Sequence, residues 1–332
     1  MDMPNRNLIK ELYHSYYQES NLDVNKDFSS HWVHYSNQFS VQLDEEKSIL
    51  SLSGIGFGDL MTRNPVQQCL NWISHMIHIL KHEDKKNIIQ LLHKARRICK
   101  CAGFSVSFDV FKQILSLNLI MRHMTHNMVN KNRLVFFIIG DGYGLMGSLI
   151  KDCFPNSTII LVDLGKTLLF QAYYCQKVHK KYIHASINNI NLVNNIEEID
   201  FLYCPADKLN LLSQVFQIDI AINIVSMQEM KPESIQGYFN FLRLNLSKEN
   251  LFYCCNRERK VLMGGEVLEF SKYPYVKTDQ HYVNEYCPWY KFFLHIHPFS
   301  KNSVKFLKIK VPFIKKFDGP IIHRLSRLSV DI

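Results

Sequence analysis

The chain has 332 residues, 47% apolar and 21% charged, with a formal net charge of +9. That balance belongs to a folded globular protein and excludes a low-complexity or disordered chain. No apolar run reaches the roughly 18–20 residues needed to span a bilayer.

The opening "MDMPNRNLIKELYHSYY" has no apolar core of a secretory signal, so a cytoplasmic protein is expected. Nine cysteines, an odd count with no CxxC spacing, read as free thiols rather than a zinc site or disulfide framework. Much of the basic excess sits in the tail, where residues 289–332 hold nine Lys/Arg against Asp318 and Asp331. A solvated basic face accounts for this; attraction to anionic substrates or an acidic membrane surface is the functional counterpart. No DNA- or RNA-binding motif accompanies the charge, so no nucleic-acid partner is expected.

In chain order, residues 1–64 are irregular, with helix-like opening turns followed by "SSHWVHYSNQF". "PVQQCLNWISHMIHILKH" begins a helix with Pro65 in its first turn, where a missing N–H costs least. "EDKKNIIQLLHKARRICK" follows at helical spacing, with Gly103 as its stop. "SFDVFKQILSLNLIMRHMTHNM" is a third helical stretch. The expected unit is a mainly helical N-terminal domain, 1–130, serving as a cap. A homo-oligomer formed through these helices is compatible with the reading.

After Lys131 the rhythm becomes strand–helix alternation. "RLVFFIIG", "STIILVD", "EIDFLYC", "IDIAINIV" and "ENLFYCC" are short apolar runs of the kind that parallel strands covered on both faces require. Helices are predicted at 145–153, 166–180, 208–216 and 232–246. The alternation predicts an α/β doubly wound, Rossmann-like sheet over 131–332. Near the end, "KFFLHIHPF" and "SVKFLKIKVPF" are predicted to form an antiparallel pair.

The first strand runs into "IIGDGYGLMG". Gly140, Gly142 and Gly144 spell GxGxG, as in many S-adenosylmethionine (SAM) sites; Gly142, Gly144 and Gly147 spell the GxGxxG of NAD sites. Glycines after a strand let the backbone approach a ligand, and the following helix presents unpaired N–H groups to it. Asp163 ends the next strand, where a carboxylate can accept both ribose hydroxyls; Leu164 follows it as a further cofactor contact. A second GxGxG, at Gly54, Gly56 and Gly58, has Pro65 where its helix should run and is read as a plain loop. Asp207 follows the third strand, where SAM enzymes commonly place an acid at the adenine amino group. Together with a terminal antiparallel pair, this favours SAM over NAD. Asp141 sits inside the glycine loop, near the cofactor's amino group or the solvent. Ser226, after the fourth strand, completes the cofactor set.

"IIGDGYGLMGSLIKDCFPNSTIILVDLGKTLLFQAYYCQK", "DIAINIVSMQEMKPESIQGYFNFLR" and "YCCNRERK" resemble the sugar O-methyltransferase family, over roughly residues 130–260. The resemblance implies a SAM-dependent methyltransferase acting on a sugar or nucleotide sugar in polysaccharide synthesis. Where family enzymes often carry two adjacent glycines, Asp141 stands here between Gly140 and Gly142.

Methyl transfer is an in-line displacement dominated by positioning, but a sugar hydroxyl needs a general base or a metal. Glu229, in "SMQEM", is the nearest carboxylate to the end of strand four; its alternative role is to border the next helix. Gln228 can orient a sugar, and Asn256 and Arg257 lie at the same edge. The long segment 258–290 reads as a substrate lid, with His281 a second candidate base and Trp289 or its Tyr neighbours able to stack on a ring. His75, His78 and His82 share a helix face, but without clustered carboxylates they and the other histidines read as packed or solvated. A divalent metal therefore has no support. The remaining alternatives are an NAD-dependent sugar oxidoreductase or epimerase, whose Tyr-x-x-x-Lys spacing is present at Tyr173–Lys177 but on the helix after Asp163, the wrong place for it, and a non-catalytic nucleotide-binding protein.

Overall fold

The computed structural model describes residues 6–18, 29–36, 39–44, 49–54, 60, 64–188, 196–213 and 215–330. The N-terminal part supplies helices α1 (Arg6–Leu12) and α2 (Ser30–Ser36) and a hairpin of β1 (Phe39–Asp44) and β2 (Ile49–Gly54). Gly54 ends β2, while Gly56 and Gly58 of the second glycine motif lie outside the described residues.

Three long helices follow. In α3 (Pro65–Lys81) the Asn64 side chain accepts from the N–H groups of Val66 and Gln67, satisfying donors that a helix start leaves open. Helix α4 (Lys85–Ala102) ends where Gly103 turns left-handed at φ 86°, as the sequence predicts. Helix α5 (Phe108–Arg122) is capped by Ser107 on Val110 N–H. The third predicted helix breaks at His123, and α6 (His126–Val129) is separate.

From there strands and helices alternate: β3 (Val135–Ile139), α7 (Leu145–Cys153), β4 (Thr158–Asp163), α8 (Gly165–Val178), β5 (His184–Ser186), β6 (Phe201–Pro205), β7 (Ile218–Ile224), α9 (Pro232–Asn245) and β8 (Leu246–Arg257). The helix expected at 208–216 is only a short 3-10 segment, Ala206–Leu212. A small hairpin, β9 (Arg259–Val261) with β10 (Val267–Glu269), precedes β11 (Gln280–Tyr286). The chain ends in β12 (Phe292–Leu294), β13 (Ser303–Phe306), β14 (Ile309–Lys316) and β15 (Ile321–Arg327).

Eight of these strands form one sheet in the order β11-β15-β8-β7-β3-β4-β6-β5. Its members are parallel except β15, which runs antiparallel to both β8 and β11. The C-terminal antiparallel strands of this sheet are thus 280–286 and 321–327. The two segments predicted to pair with each other, 291–299 and 303–313, do meet antiparallel through β12 and β14, but in a separate sheet of order β12-β14-β13, and the second segment also folds on itself as the β13–β14 hairpin. Both kinds of segment alternate, and alternation cannot say which sheet a strand joins.

Successive residues of the parallel strands serve opposite faces. Phe136, Ile138, Ile159 and Leu161 join one core cluster with Leu91 and Ile98 of α4 and Ile114 of α5. Phe137, Ile139, Ile160 and Val162 join another with Phe239 and Leu242 of α9. The N-terminal helices therefore share a core with the first sheet face. On the second face the segment after β8 supplies Leu262, Leu268, Phe270 and Tyr273 as cover. Among the described residues no helix is long and apolar enough to cross a membrane.

Candidate active site

Strand β3 lies between β4 and β7, and the chain leaves it toward opposite edges of the sheet. At such a reversal the connections diverge and open a crevice over the carboxyl ends of the strands. Here that crevice is a cavity of about 1090 Å³. It exceeds the roughly 300–1,000 Å³ of a site for one drug-sized ligand.

Gly140, Gly142 and Gly144 all have positive φ, 75°, 60° and 76°. At Gly140 a Cβ would lie 2.1 Å from Ser226 Oγ, so the β3 and β7 ends touch there. At Gly142 a Cβ would meet nothing within 4 Å, because this backbone faces the cavity. Gly144 caps α7. Asp141 lines the cavity but turns its carboxylate onto the start of α7, accepting from the N–H groups of Met146 (2.9 Å) and Gly147 (2.7 Å). Burial pushes its carboxyl up to about 7 against the opposing pull of those bonds.

Asp163, at the end of β4, accepts from Leu164 N–H (2.8 Å) and Gln171 Nε2 (2.6 Å). Burial raises it to about 7 as well. Leu164 and the exposed Asp207 complete this wall, with Gly165 and Tyr238.

After β7, Val225 takes φ 61°, a strained value for a β-branched residue, and its N–H donates to Cys255 O at 2.7 Å. The chain then crosses the strand ends through Ser226, Met227, Gln228 and Glu229. Ser226 Oγ donates to Ile139 O (3.2 Å) and accepts from Asn223 Nδ2 (2.8 Å). Glu229 reaches the cavity. Its carboxylate takes Lys260 Nζ at 2.6 Å on one oxygen and His31 Nε2 at 3.2 Å on the other. Burial alone would raise its pKa, but the His31 hydrogen bond and the Lys260 charge hold it below the ordinary carboxylate value. Ser29 Oγ donates to the Glu229 carbonyl. Ser30 Oγ donates to Glu266 (2.6 Å) and accepts from Gly264 N–H (2.9 Å), tying α2 to the β9–β10 hairpin.

Lys112 and Asp109 of α5, an ion pair, form the far wall with Trp32, Gln113 and Tyr290. Lys112 Nζ lies 4.4 Å from the centre of the Tyr290 ring.

The remaining sequence candidates do not line this cavity. Gln228 and Asn256 are buried and bonded to each other's neighbourhood: Asn256 Oδ1 accepts from Gln228 N–H (3.1 Å), and Gln228 Oε1 accepts from Arg257 N–H (2.8 Å). The Arg257 guanidinium meets Asp318 at 3.3 Å. His281 sits exposed on the edge strand β11, its Nδ1 2.8 Å from Ser326 Oγ. Trp289 is buried edge-on against His323, 4.9 Å between ring centres; its neighbour Tyr290 is the aromatic that reaches the cavity. Lys177, of the Tyr173–Lys177 spacing, donates to Ala102 O at 3.0 Å, and neither residue lines the cavity. His75 stacks on Phe111 at 4.4 Å, and burial drives its pKa down to about 3. No group of three or more His, Cys, Asp or Glu among the described residues could hold a metal.

Sequence reasoning missed His31, Lys260, Lys112 and Asp109. His31 lies about two hundred residues from Glu229 in the chain, as Ser29 does, and no periodicity signals such a pairing. The polar-aromatic "SSHWVHYS" was the one local hint.

A mainly parallel sheet with one reversed strand, β15, between β8 and β11, and with helices packed on both faces, is a doubly wound, Rossmann-like sheet. No known family profile and no characterised protein sequence matches the chain. Among solved structures it is similar to a SAM-dependent methyltransferase from Anabaena variabilis: 11% identity, 65% of this chain and 83% of that one, TM-score 0.38. It is also similar to coclaurine N-methyltransferase bound to N-methylheliamine and SAH, at 12% identity, 53% and 50% coverage and TM-score 0.36. A third is the cyclopropane synthase MmaA2 from Mycobacterium tuberculosis, at 13% identity and TM-score 0.30. The match takes in 44% of this chain and 41% of the synthase, well under two thirds of that protein. The fold assignment rests on the chain's own strand order.

Proposed function

We propose that the chain is a SAM-dependent O-methyltransferase whose acceptor is a sugar hydroxyl, carried on a nucleotide or within a glycan. The observation that supports it is a single cavity running from the glycine loop and Asp163 to the Glu229 carboxylate. The cofactor, when bound, supplies an electrophilic methyl group.

The residues on the cofactor side fit such a group. Gly142 leaves open the space a side chain would fill, and Asp163 presents a buried carboxylate beside it, suited to ribose hydroxyls. Asp207, after β6, lies beyond Asp163 and Leu164 on the side suited to the adenine, and Ser226, after β7, lies on the other side of the glycine loop. On the acceptor side, Glu229 is the group placed to take the hydroxyl proton. Lys260 and His31 keep it ionised at neutral pH and fix its direction. Trp32 and Tyr290 offer apolar ring faces, and Lys112, Asp109 and Gln113 offer charge and hydrogen bonds. That mixture suits a polyhydroxylated ring better than a flat apolar ligand. Helix α2 and the β9–β10 hairpin, joined through Ser30 and Glu266, act as the cover over Glu229. The wider 1–130 region serves as the cap.

Titration calorimetry with SAM and S-adenosylhomocysteine tests the cofactor, and tight binding of NAD with neither of these overturns it. Product mass after incubation with nucleotide sugars tests the acceptor. A methylated product from amines only would replace the hydroxyl reading.

A further inference from the structure

The basic tail is also where apolar side chains stand in water. Strands β13 and β14 are joined by two residues, Leu307 and Lys308, with φ 48° and 69°. Positive φ at both positions is the geometry of a type I′ hairpin turn, which ordinarily takes Asn-Gly. Leu307 at its tip is 80% exposed, and the flanking pair Phe306 and Ile309, directly opposite one another, are 70% and 73% exposed. The next pair is Lys305 opposite Lys310, like charges in an unfavourable register. From Lys291 to Phe317 there are seven lysines and no Asp or Glu.

The base of this sheet is held firmly. Gln67 of α3 donates to Leu294 O (2.9 Å) and accepts from Ile296 N–H (3.1 Å), and Phe293 packs on Phe317 at 4.9 Å. An anchored hairpin thus projects a tip that is apolar and backbone-strained and that carries Lys305, Lys308 and Lys310. A surface with anionic headgroups over an apolar interior compensates the exposed apolar side chains and the positive charge at once, and the strained turn is what holds them at the tip.

We propose that the β13–β14 hairpin is a peripheral contact for anionic membranes. Phe306, Leu307 and Ile309 enter the headgroup–acyl boundary, and Lys305, Lys308 and Lys310 meet the phosphates. A nucleic acid would neutralise the lysines but leave the three apolar side chains in water, so the lipid surface fits better. The inference does not depend on the methyl-transfer reading.

Sedimentation of the full chain with vesicles tests it, comparing phosphatidylcholine alone with phosphatidylcholine containing phosphatidylglycerol. Binding is expected only to the second, weakening with salt and falling about fivefold for each lysine removed in Lys305→Gln, Lys308→Gln and Lys310→Gln. The double variant Leu307→Asn, Lys308→Gly installs the preferred turn, so it is expected to melt no lower than wild type while binding vesicles at least tenfold more weakly. Three results would overturn the proposal: no binding to the anionic vesicles, equal binding by this turn variant, or saturable duplex DNA binding in place of vesicle binding. A dimer in light scattering that the turn variant dissociates, with no vesicle binding, would assign the tip to a second copy instead.

Discussion

Lys260 Nζ lies 2.6 Å from Glu229 Oε1, although 31 residues and the whole of β8 separate the two in the chain. The β9–β10 hairpin folds Lys260 back over the strand ends, and α2 brings His31 to the other oxygen. Burial raises the pKa of a carboxylate so placed, and the His31 hydrogen bond and the Lys260 charge bring it below the ordinary value.

Removing the charge in Lys260→Met leaves only His31 to oppose burial, and the Glu229 pKa rises. A depressed carboxylate contributes its stabilisation above its unfolded pKa and loses it as the pH falls through the folded value. The wild type therefore keeps Glu229 ionised to below the ordinary carboxylate range. The acid limb of kcat/KM against pH is expected to move to higher pH in Lys260→Met. Glu229→Gln is expected to lower kcat by about 10²–10⁴-fold with SAM affinity changed little.

Gly140 and Gly142 separate folding from binding. In Gly140→Ala the new methyl would stand 2.1 Å from Ser226 Oγ on backbone at φ 75°, so a loss of about 1–3 kcal/mol is expected in denaturant unfolding. Gly142→Ala meets no protein atom within 4 Å. It is expected to cost only about 1–2 kcal/mol for its left-handed backbone, yet to weaken SAM binding strongly in calorimetry.

Asp141 and Asp163 both titrate near 7 because burial disfavours their charge. Between the unfolded value near 3.8 and the folded value, the native state holds protons that the unfolded chain has lost. Stability of the protein without ligand is therefore expected to fall as pH rises from about 4 to 7, by up to about 1.4 kcal/mol per pH unit for each group. SAM affinity is expected to run the other way, rising through pH 7 as Asp163 becomes the acceptor that ribose hydroxyls need. Melting curves and calorimetry over the same pH series check both signs.

Asn256 Nδ2 donates to Asn223 Oδ1 at 2.7 Å, and Asn223 Nδ2 donates to Ile139 O at 3.0 Å. With Gln228, these amides tie β3, β7 and β8 together beneath the cavity floor. Asn256→Ala leaves buried partners unsatisfied and is expected to cost about 1–3 kcal/mol in unfolding. Its KM for the acceptor is expected to change less than that of Tyr290→Ala, which alters the cavity wall itself.

Much of this protein is written locally. The apolar runs ending at Ile139, Asp163 and Ile224 read as strands buried on both faces, because they are too short for an ordinary helix and rich in Ile, Val and Phe. Pro65, Gly103 and the glycines at 140–144 determine where elements start, stop and turn, because each requires a backbone that few other residues tolerate. Hence five strands of the parallel core, the glycine loop and Asp163 at a strand end were legible without coordinates, while the order of the strands and the short β5 were not. What only the tertiary structure decided is everything that joins distant segments. Alternation in 291–313 could not say that those strands leave the main sheet, nor that 280–286 and 321–327 take the antiparallel places in it. The names Gln228, Asn256 and Trp289 could not say that their side chains are packed away. Nor could the sequence bring Lys112 to the cavity wall, or His31 and Lys260 to the Glu229 carboxylate. Period and composition report the environment a residue needs; which partners meet it is set by how the chain closes over its core.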